Sequence, residues 1–225
     1  MILEARNITR HYDQGNSKLE VLKNLNFALA ENETVAVLGQ SGSGKSTLLS
    51  MLAGLDRPSS GEIFLSGQNI TEMSEKALAL FRAKQIGIVF QQFHLMTHLT
   101  AVENVSLPLE IAGMNFSEAK LKSLKLLEAV GLGARADHFP HQLSGGEKQR
   151  VAIARALVIE PPILLADEPS GNLDQKTGES VMNLLFTLVQ ERGHSLILVT
   201  HNETLALQCS RRLNLINGTL VQDAP

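Results

Sequence analysis

The chain has 225 residues, enough for one domain with a sizeable core, and a formal net charge of −3 with no long basic run, so no nucleic-acid partner is expected. Its one cysteine, Cys209, excludes an intramolecular disulfide framework and fits a reducing compartment. The start, Met1 to Arg6, lacks a signal-peptide pattern, and no uninterrupted apolar stretch approaches the ~20 residues of a membrane helix, so any membrane attachment is expected to come through a partner.

In chain order, residues 1–30 are expected to form an edge of short strands, with Asp13-Gln14-Gly15-Asn16-Ser17 as a turn cluster. They hold the only tyrosine, Tyr12, which core packing would explain as well as binding. Thr34 to Leu38 reads as a short β-branched, apolar strand, and Ser46 to Ala53 as a helix. Between them lies Gly39-Gln40-Ser41-Gly42-Ser43-Gly44-Lys45-Ser46, followed by Thr47, with the spacing G-x-x-x-x-G-K-[ST]. Gly39, Gly42 and Gly44 let the backbone curl so that successive N–H groups face phosphate oxygens, and the helix N-terminus adds partial positive charge. Lys45 can reach β- and γ-phosphates, and the Ser46 hydroxyl can ligate Mg²⁺. The loop implies a nucleotide.

Further along, Gly61 to Leu65 suggests a strand pair before Gly67, and roughly residues 92–145 read as helical. Ser117 is expected to cap a helix with Glu118 in its first turn. Leu121, Leu124, Leu127 and Val130 would form a packed apolar stripe that Gly131 ends. Residues 143–150 read Leu-Ser-Gly-Gly-Glu-Lys-Gln-Arg, and Val151 to Val158 is a good helix former that stops before Pro161-Pro162. Ser144, Gly145 and Gly146 are therefore expected at a helix N-terminus, a second anion-binding position in the chain. Taken alone, Ser-Gly-Gly is an ordinary helix cap.

Paired with the phosphate loop, that octapeptide resembles the signature of ATP-binding cassette (ABC) ATPases, and the resemblance extends over nearly the whole chain. It implies an α/β fold of the P-loop NTPase (RecA-like) kind. That fold has a parallel-sheet core, an antiparallel β subdomain and a helical signature subdomain. On this reading residues 1–225 are one domain, with 1–91 and 146–225 as nucleotide-binding core and β subdomain and 92–145 as helical subdomain. Ile163 to Glu168 is an apolar run ending in two carboxylates, similar to the family's second nucleotide motif. The resemblance implies Asp167 as a holder of Mg²⁺ and Glu168 as the group that polarises the attacking water. Ser170-Gly171-Asn172-Leu173-Asp174 resembles the loop that crosses to a partner subunit, with Ser170 in place of the usual threonine. His201, after the apolar run Ser195 to Thr200, resembles the switch histidine at the γ-phosphate, with Asn202 where aspartate is common. Gln91, after Ile88-Val89-Phe90, resembles the glutamine that senses Mg²⁺ and the membrane partner, and Tyr12 the aromatic that stacks on adenine.

The resemblance further implies ATP hydrolysis with ATP and Mg²⁺ bound. Two copies would pair head to tail, each ATP lying between one copy's phosphate loop and the other's Ser144, Gly145 and Gly146. Leu99-Thr100-Ala101-Val102-Glu103-Asn104-Val105 and Gly171-Asn172-Leu173-Asp174 resemble a bacterial subgroup, the ATPases of lipoprotein-releasing, macrolide-exporting and cell-division complexes (the LolD, MacB and FtsE type), stand-alone LolD-like and YbbA-like subunits above all. Members work with an integral membrane permease (FtsX- or MacB-like) bearing a periplasmic domain, so a permease partner and a periplasmic adaptor are implied, with the chain on the cytoplasmic face of the inner membrane. Phe93, Leu95, Met96, Leu99, Leu107, Pro108 and Leu109 are candidates for the permease-facing surface, core packing being the alternative. A non-transporting cassette that acts as a scaffold, as in cell division, is the competing function. Too few residues separate Gln91 from Leu143 for the long coiled coil of DNA-repair cassettes, and one cassette argues against the translation type.

Overall fold

The structure is a computed structural model and describes residues 1–15 and 17–222. Asn16, in the expected turn cluster, lies outside the described residues. In chain order the elements are β1 (Leu3–Gln14), β2 (Ser17–Leu29), β3 (Thr34–Leu38), α1 (Lys45–Leu52), β4 (Ser60–Leu65), β5 (Gln68–Asn69), α2 (Glu75–Gln85), β6 (Ile86–Val89) and α3 (Ala101–Ile111). There follow α4 (Phe116–Ala129), α5 (Gly145–Leu157), β7 (Ile163–Asp167), α6 (Gln175–Arg192), β8 (Ser195–Val199), α7 (Glu203–Ala206), β9 (Arg211–Ile216) and β10 (Thr219–Gln222). The chain divides into two compact units, Met1–Arg82 with His194 onward, and Ala83–Gly193. No helix among the described residues is long and apolar enough to cross a membrane.

The first unit contains an antiparallel sheet of order β2-β1-β4-β5. The expected short strands are in fact two long ones of 12 and 13 residues. The reason is local. Register shifts between Ala5 and Ile8, Ile8 and Arg10, and Arg10 and His11 interrupt the alternation of β1, and Asn7 and Asn24 take positive φ of 51° and 42° there. Bulges of this kind erase the period-2 pattern by which a long strand is read. The same unit places β3 between parallel neighbours β8 and β9, with β10 antiparallel beyond β9. Val35, Ala36 and Val37 have no exposed surface, as a strand buried on both faces requires.

In the second unit β6 and β7 pair in parallel, from Ile86 opposite Ile163 to Val89 opposite Ala166. The helix expected around Ser117 starts earlier, because Asn115 is the cap and accepts from the Glu118 amide at 3.0 Å. Its packed face is also rotated. Ala119, Ser123, Leu126 and Leu127 are buried, whereas Leu121 is 56% exposed. Val130 caps the C-terminus, and Gly131 turns the chain with φ 73°. Thr100 caps α3 through a reciprocal pair: its hydroxyl accepts from the Glu103 amide, and the Glu103 carboxylate accepts from the Thr100 amide at 2.7 Å.

Asn104, fully buried on α3, holds the irregular segment before the helix. Its Oδ1 accepts from the Met96 amide at 2.8 Å, and its Nδ2 lies 3.0 to 3.1 Å from the carbonyls of Met96, Leu99 and Thr100. Replacement by alanine removes four hydrogen bonds to these partly buried groups, so Asn104→Ala should cost ~3 kcal/mol in urea unfolding. The bonds from Thr100 hold the Glu103 carboxyl below its usual range. A pKa lower in the folded than in the unfolded chain stabilises the fold above about pH 4.5, and that contribution is lost as pH falls through the lowered value. Glu103→Gln should therefore destabilise the protein at pH 7, and its effect should shrink as pH falls below about 4.5 and through the lowered value, which denaturant unfolding along an acid pH series will read.

Candidate functional site

The phosphate-loop candidate lies in the first unit. The chain leaves β3 at Leu38, curls through residues 39–44 and enters α1 at Lys45. Gly44 is the cap residue, with φ 100°, and no side chain bonds the first amides of α1. A Cβ at Gly44 would lie 2.9 Å from Val21 Cγ1, so glycine is needed both for the turn and for the close approach of β2. The Lys45 ammonium, 7% exposed, donates to the carbonyls of Gly39 and Gln40 at 2.8 and 2.9 Å. It lies over the loop, bound to neutral acceptors that an anionic oxygen outcompetes. The buried Ser43 Oγ has no hydrogen-bond partner. Gln40, Ser41, Gly42 and Ser46 are exposed, and Thr47 is half-buried.

Gly39 to Ser43 line an open cleft of about 1100 Å³ together with His201. His201 follows β8 and is exposed. Its neighbours hold it in place. Thr200 Oγ1 accepts from the Asn202 amide at 3.0 Å, and Asn202 caps α7 by accepting from Leu205. Asparagine thus serves as the acceptor that aspartate would be. The cleft also includes Lys23, Asn214 and Asn217, which no sequence pattern singled out. They arrive through a non-local contact, the Lys23 amide donating to the Gly218 carbonyl at 2.9 Å.

Tyr12 does not line this cleft. It is 38% exposed on β1, and its hydroxyl donates to Asp56 at 3.4 Å. The Arg10 guanidinium lies 4.5 Å from the ring centroid and pairs with Asp56 at 2.8 Å. One face of the ring is therefore covered by a cation.

The other candidates lie in the second unit. Ser144 is the cap of α5, in a reciprocal box with Glu147: the serine hydroxyl accepts from the Glu147 amide at 3.3 Å, and Glu147 accepts from the Ser144 amide at 2.8 Å. These bonds, helped by Arg135 at 3.2 Å, hold the Glu147 carboxyl below its usual range. Ser144 is exposed, Gly145 half-buried and Gly146 buried. Asp167 ends β7, and Asp167 and Glu168 are both half-buried. Glu168 takes φ 42°, a conformation uncommon for a side-chain-bearing residue, and its carbonyl accepts from the Gly171 amide at 2.9 Å. The chain therefore turns sharply just where the two carboxylates follow the strand.

That turn brings Asn172 to Gln91. The Gln91 Nε2 donates to Asn172 Oδ1 at 3.3 Å, and Asn172 Nδ2 donates to the Gln91 carbonyl at 3.0 Å. The segment around Gln91 is also held by α5, through Gln149 to the Phe90 carbonyl and Arg155 to those of Phe93 and His94. Of the apolar candidates there, Met96 is exposed at 43%, Phe93, Leu95, Leu99, Leu107 and Pro108 are half-buried, and Leu109 is core at 4%.

A family model described as ABC transporter matches residues 22–171. The ABC transporter ATP-binding protein YbbA of Escherichia coli (strain K12), itself uncharacterised, is 49% identical over 223 residues, 99% of this chain and 98% of that protein. The lipoprotein-releasing system ATP-binding protein LolD of Geobacter metallireducens is 48% identical over 222 residues, 99% of each. Among solved structures, the dimeric post-hydrolysis state of the ATP-binding cassette MJ0796, bound to ADP and Pi, is 41% identical with a TM-score of 0.91, over 99% of this chain and 97% of that one. A second dimeric structure of MJ0796, a bacterial ABC transporter cassette, has a TM-score of 0.90 at 42% identity. The expected P-loop NTPase fold is therefore the observed one. With its glycine loop on a buried strand, its capped signature helix and full-length relatives of one kind, the chain belongs to the ABC transporter family, as an ATP-binding subunit and an ATPase.

Proposed function

We propose that this chain is the ATPase of a bacterial inner-membrane transporter of the lipoprotein-release or macrolide-export type, in which ATP closes two copies head to tail and drives a partner permease. One observation carries the pairing. The chain has two anion-ready helix N-termini, at Gly44–Ser46 and at Ser144–Gly146, on different elements in different units. A single triphosphate shared between copies gives both an acceptor. The dimeric state of MJ0796 and the full-length similarity to LolD support the same reading. On this reading residues 1–225 form one cassette domain with residues 92–145 as its helical part.

Gly39, Gln40, Ser41, Gly42, Ser43, Gly44 and Thr47 wrap the phosphates, and Lys45 exchanges the carbonyls of Gly39 and Gln40 for β- and γ-phosphate oxygens. The ring face of Tyr12 opposite Arg10 stacks on adenine. Glu168 orients and polarises a water molecule, which attacks the γ-phosphorus. The bond from that phosphorus to the β–γ bridging oxygen breaks, giving ADP and phosphate. His201 and the other copy's Ser144, Gly145 and Gly146 hold the γ-phosphoryl oxygens in place. Ser46, Asp167 and Gln91 would each offer Mg²⁺ a hard oxygen donor, since Gln91 spends its Nε2 on Asn172 and keeps Oε1. When bound, Mg²⁺ neutralises charge on the β- and γ-phosphates.

The permease partner, FtsX- or MacB-like and linked to a periplasmic adaptor, docks from the membrane on the segment from Gln91 to Ile111, with Met96 the most exposed of its candidate apolar contacts. The chain then works at the cytoplasmic face.

Glu168→Gln removes the charge that activates water but keeps the shape of the side chain. Turnover should fall on the order of 10²- to 10⁴-fold, and light scattering should find a dimer with ATP–Mg²⁺ and a monomer with ADP–Mg²⁺. Unchanged turnover removes Glu168 from the chemistry. Adding Gly145→Asp to that variant sets a carboxylate against the other copy's γ-phosphate. A Cβ there meets only Leu173 Cδ2, at 3.1 Å, so the fold should survive. ATP should still bind the monomer while the dimer disappears; a dimer that persists contradicts the shared site.

A further inference from the structure

Three side-chain bonds tie α5 to the loop that follows β6. Gln149, fully buried, donates from Nε2 to the Phe90 carbonyl at 3.3 Å. Arg155 donates from Nη1 to the His94 carbonyl at 2.6 Å and from Nη2 to the Phe93 carbonyl at 2.9 Å. Six residues of helix rise about 9 Å from Gln149 to Arg155, so the loop is held from two points more than one turn apart on α5.

The double contact depends on backbone geometry. His94 has φ 47°, and its ring packs at 4.9 Å against Phe90. Successive carbonyls of extended chain point to opposite sides, whereas a helical twist of either hand sets them side by side. The left-handed turn at His94 thus aims the Phe93 and His94 carbonyls at one guanidinium, whose rigid fork binds both. Burial lowers the Arg155 pKa, as expected of a cation solvated by backbone rather than water. Asn172 fastens the same loop at Gln91 from the turn after Glu168.

We propose that Arg155, with Gln149, is a positioning residue that makes the loop Phe90–Met96 and helix α5 one lever, so that whatever moves the loop also moves Ser144–Gly146 at the far end of the helix. This rests on the reading of Ser144–Gly146 as the surface that meets the other copy's ATP. About 16 Å of helix separates Ser144 from Arg155. A small tilt imposed at the permease-facing loop therefore becomes a displacement at the signature, and closure of the signature on ATP is reported back to the loop.

The test uses peptide-resolved hydrogen exchange on the full chain carrying Glu168→Gln. With ATP–Mg²⁺, exchange should slow both in residues 144–150 and in residues 93–97, which lie beyond the direct reach of a cation held at Gln91. Adding Arg155→Met should leave the ATP-dependent protection of 144–150 in place and abolish that of 93–97, with 93–97 exchanging on the order of tenfold faster even without nucleotide. His94→Val, which disfavours the left-handed turn and leaves α5 untouched, should have the same effect if Arg155→Met does not fold. Retained ATP-dependent protection of 93–97 in either folded variant overturns the lever. Absent protection of 144–150 in the Glu168→Gln parent sinks the pairing reading instead. The clamp is then judged by nucleotide-free exchange of 93–97, and a rate unchanged by Arg155→Met overturns it.

Discussion

A helix leaves its first amides without intrahelical partners, and that shortage is the constraint on which both candidate anion-binding positions depend. At α1 no side chain supplies an acceptor, because Gly44 occupies the cap. At α5 the Ser144 hydroxyl serves one amide, and Glu147 supports the serine in return. The two ends therefore differ in readiness. The first presents an uncapped turn with a buried lysine beside it, a place for concentrated negative charge. The second is already a stable helix start that can accept a further oxygen at its glycine amides.

Strand β3 makes the first arrangement rigid. Its central residues are wholly buried between β8 and β9, so the loop leaves from a fixed point. His201 leaves the neighbouring strand β8 and reaches the same cleft, steadied by Thr200 and by the Asn202 cap. Parallel strands bring successive connections to one edge, and for that reason residues distant in sequence share a cleft.

The second unit relies more on polar groups. Asn104, Gln149 and Arg155 place buried or half-buried donors on the carbonyls of one irregular segment, and Asn172 adds another. Such a network is costly when broken and well defined when complete. It gives a loop without secondary structure a fixed path, whereas apolar packing alone would allow it to slide. The expected apolar surface is divided accordingly. Leu109 belongs to the core, most of the others are half covered, and Met96 stands out.

Local patterns were legible in the sequence. The strand Thr34–Leu38, the glycine loop and the helix after it, the cap at Ser144 and the apolar strands before Asp167 and His201 all depend on neighbours within a few residues, and the structure places each where the pattern put it. The cap is Asn115 and not the expected Ser117, and the helix that it starts buries Ala119, Ser123, Leu126 and Leu127, a face that only packing selects. The bulges of β1 hid one long strand inside a broken alternation. The pairing of Gln91 with Asn172 spans 81 positions, and the bond from Arg155 to Phe93 spans 62. Contacts at such separations leave no period in the sequence. The chain alone determined where the glycine loop and the serine-capped helix start lie, whereas only the folded packing decided which side chains hold the connecting loop, because a hydrogen bond to a distant carbonyl is specified by position in space and not by residue type.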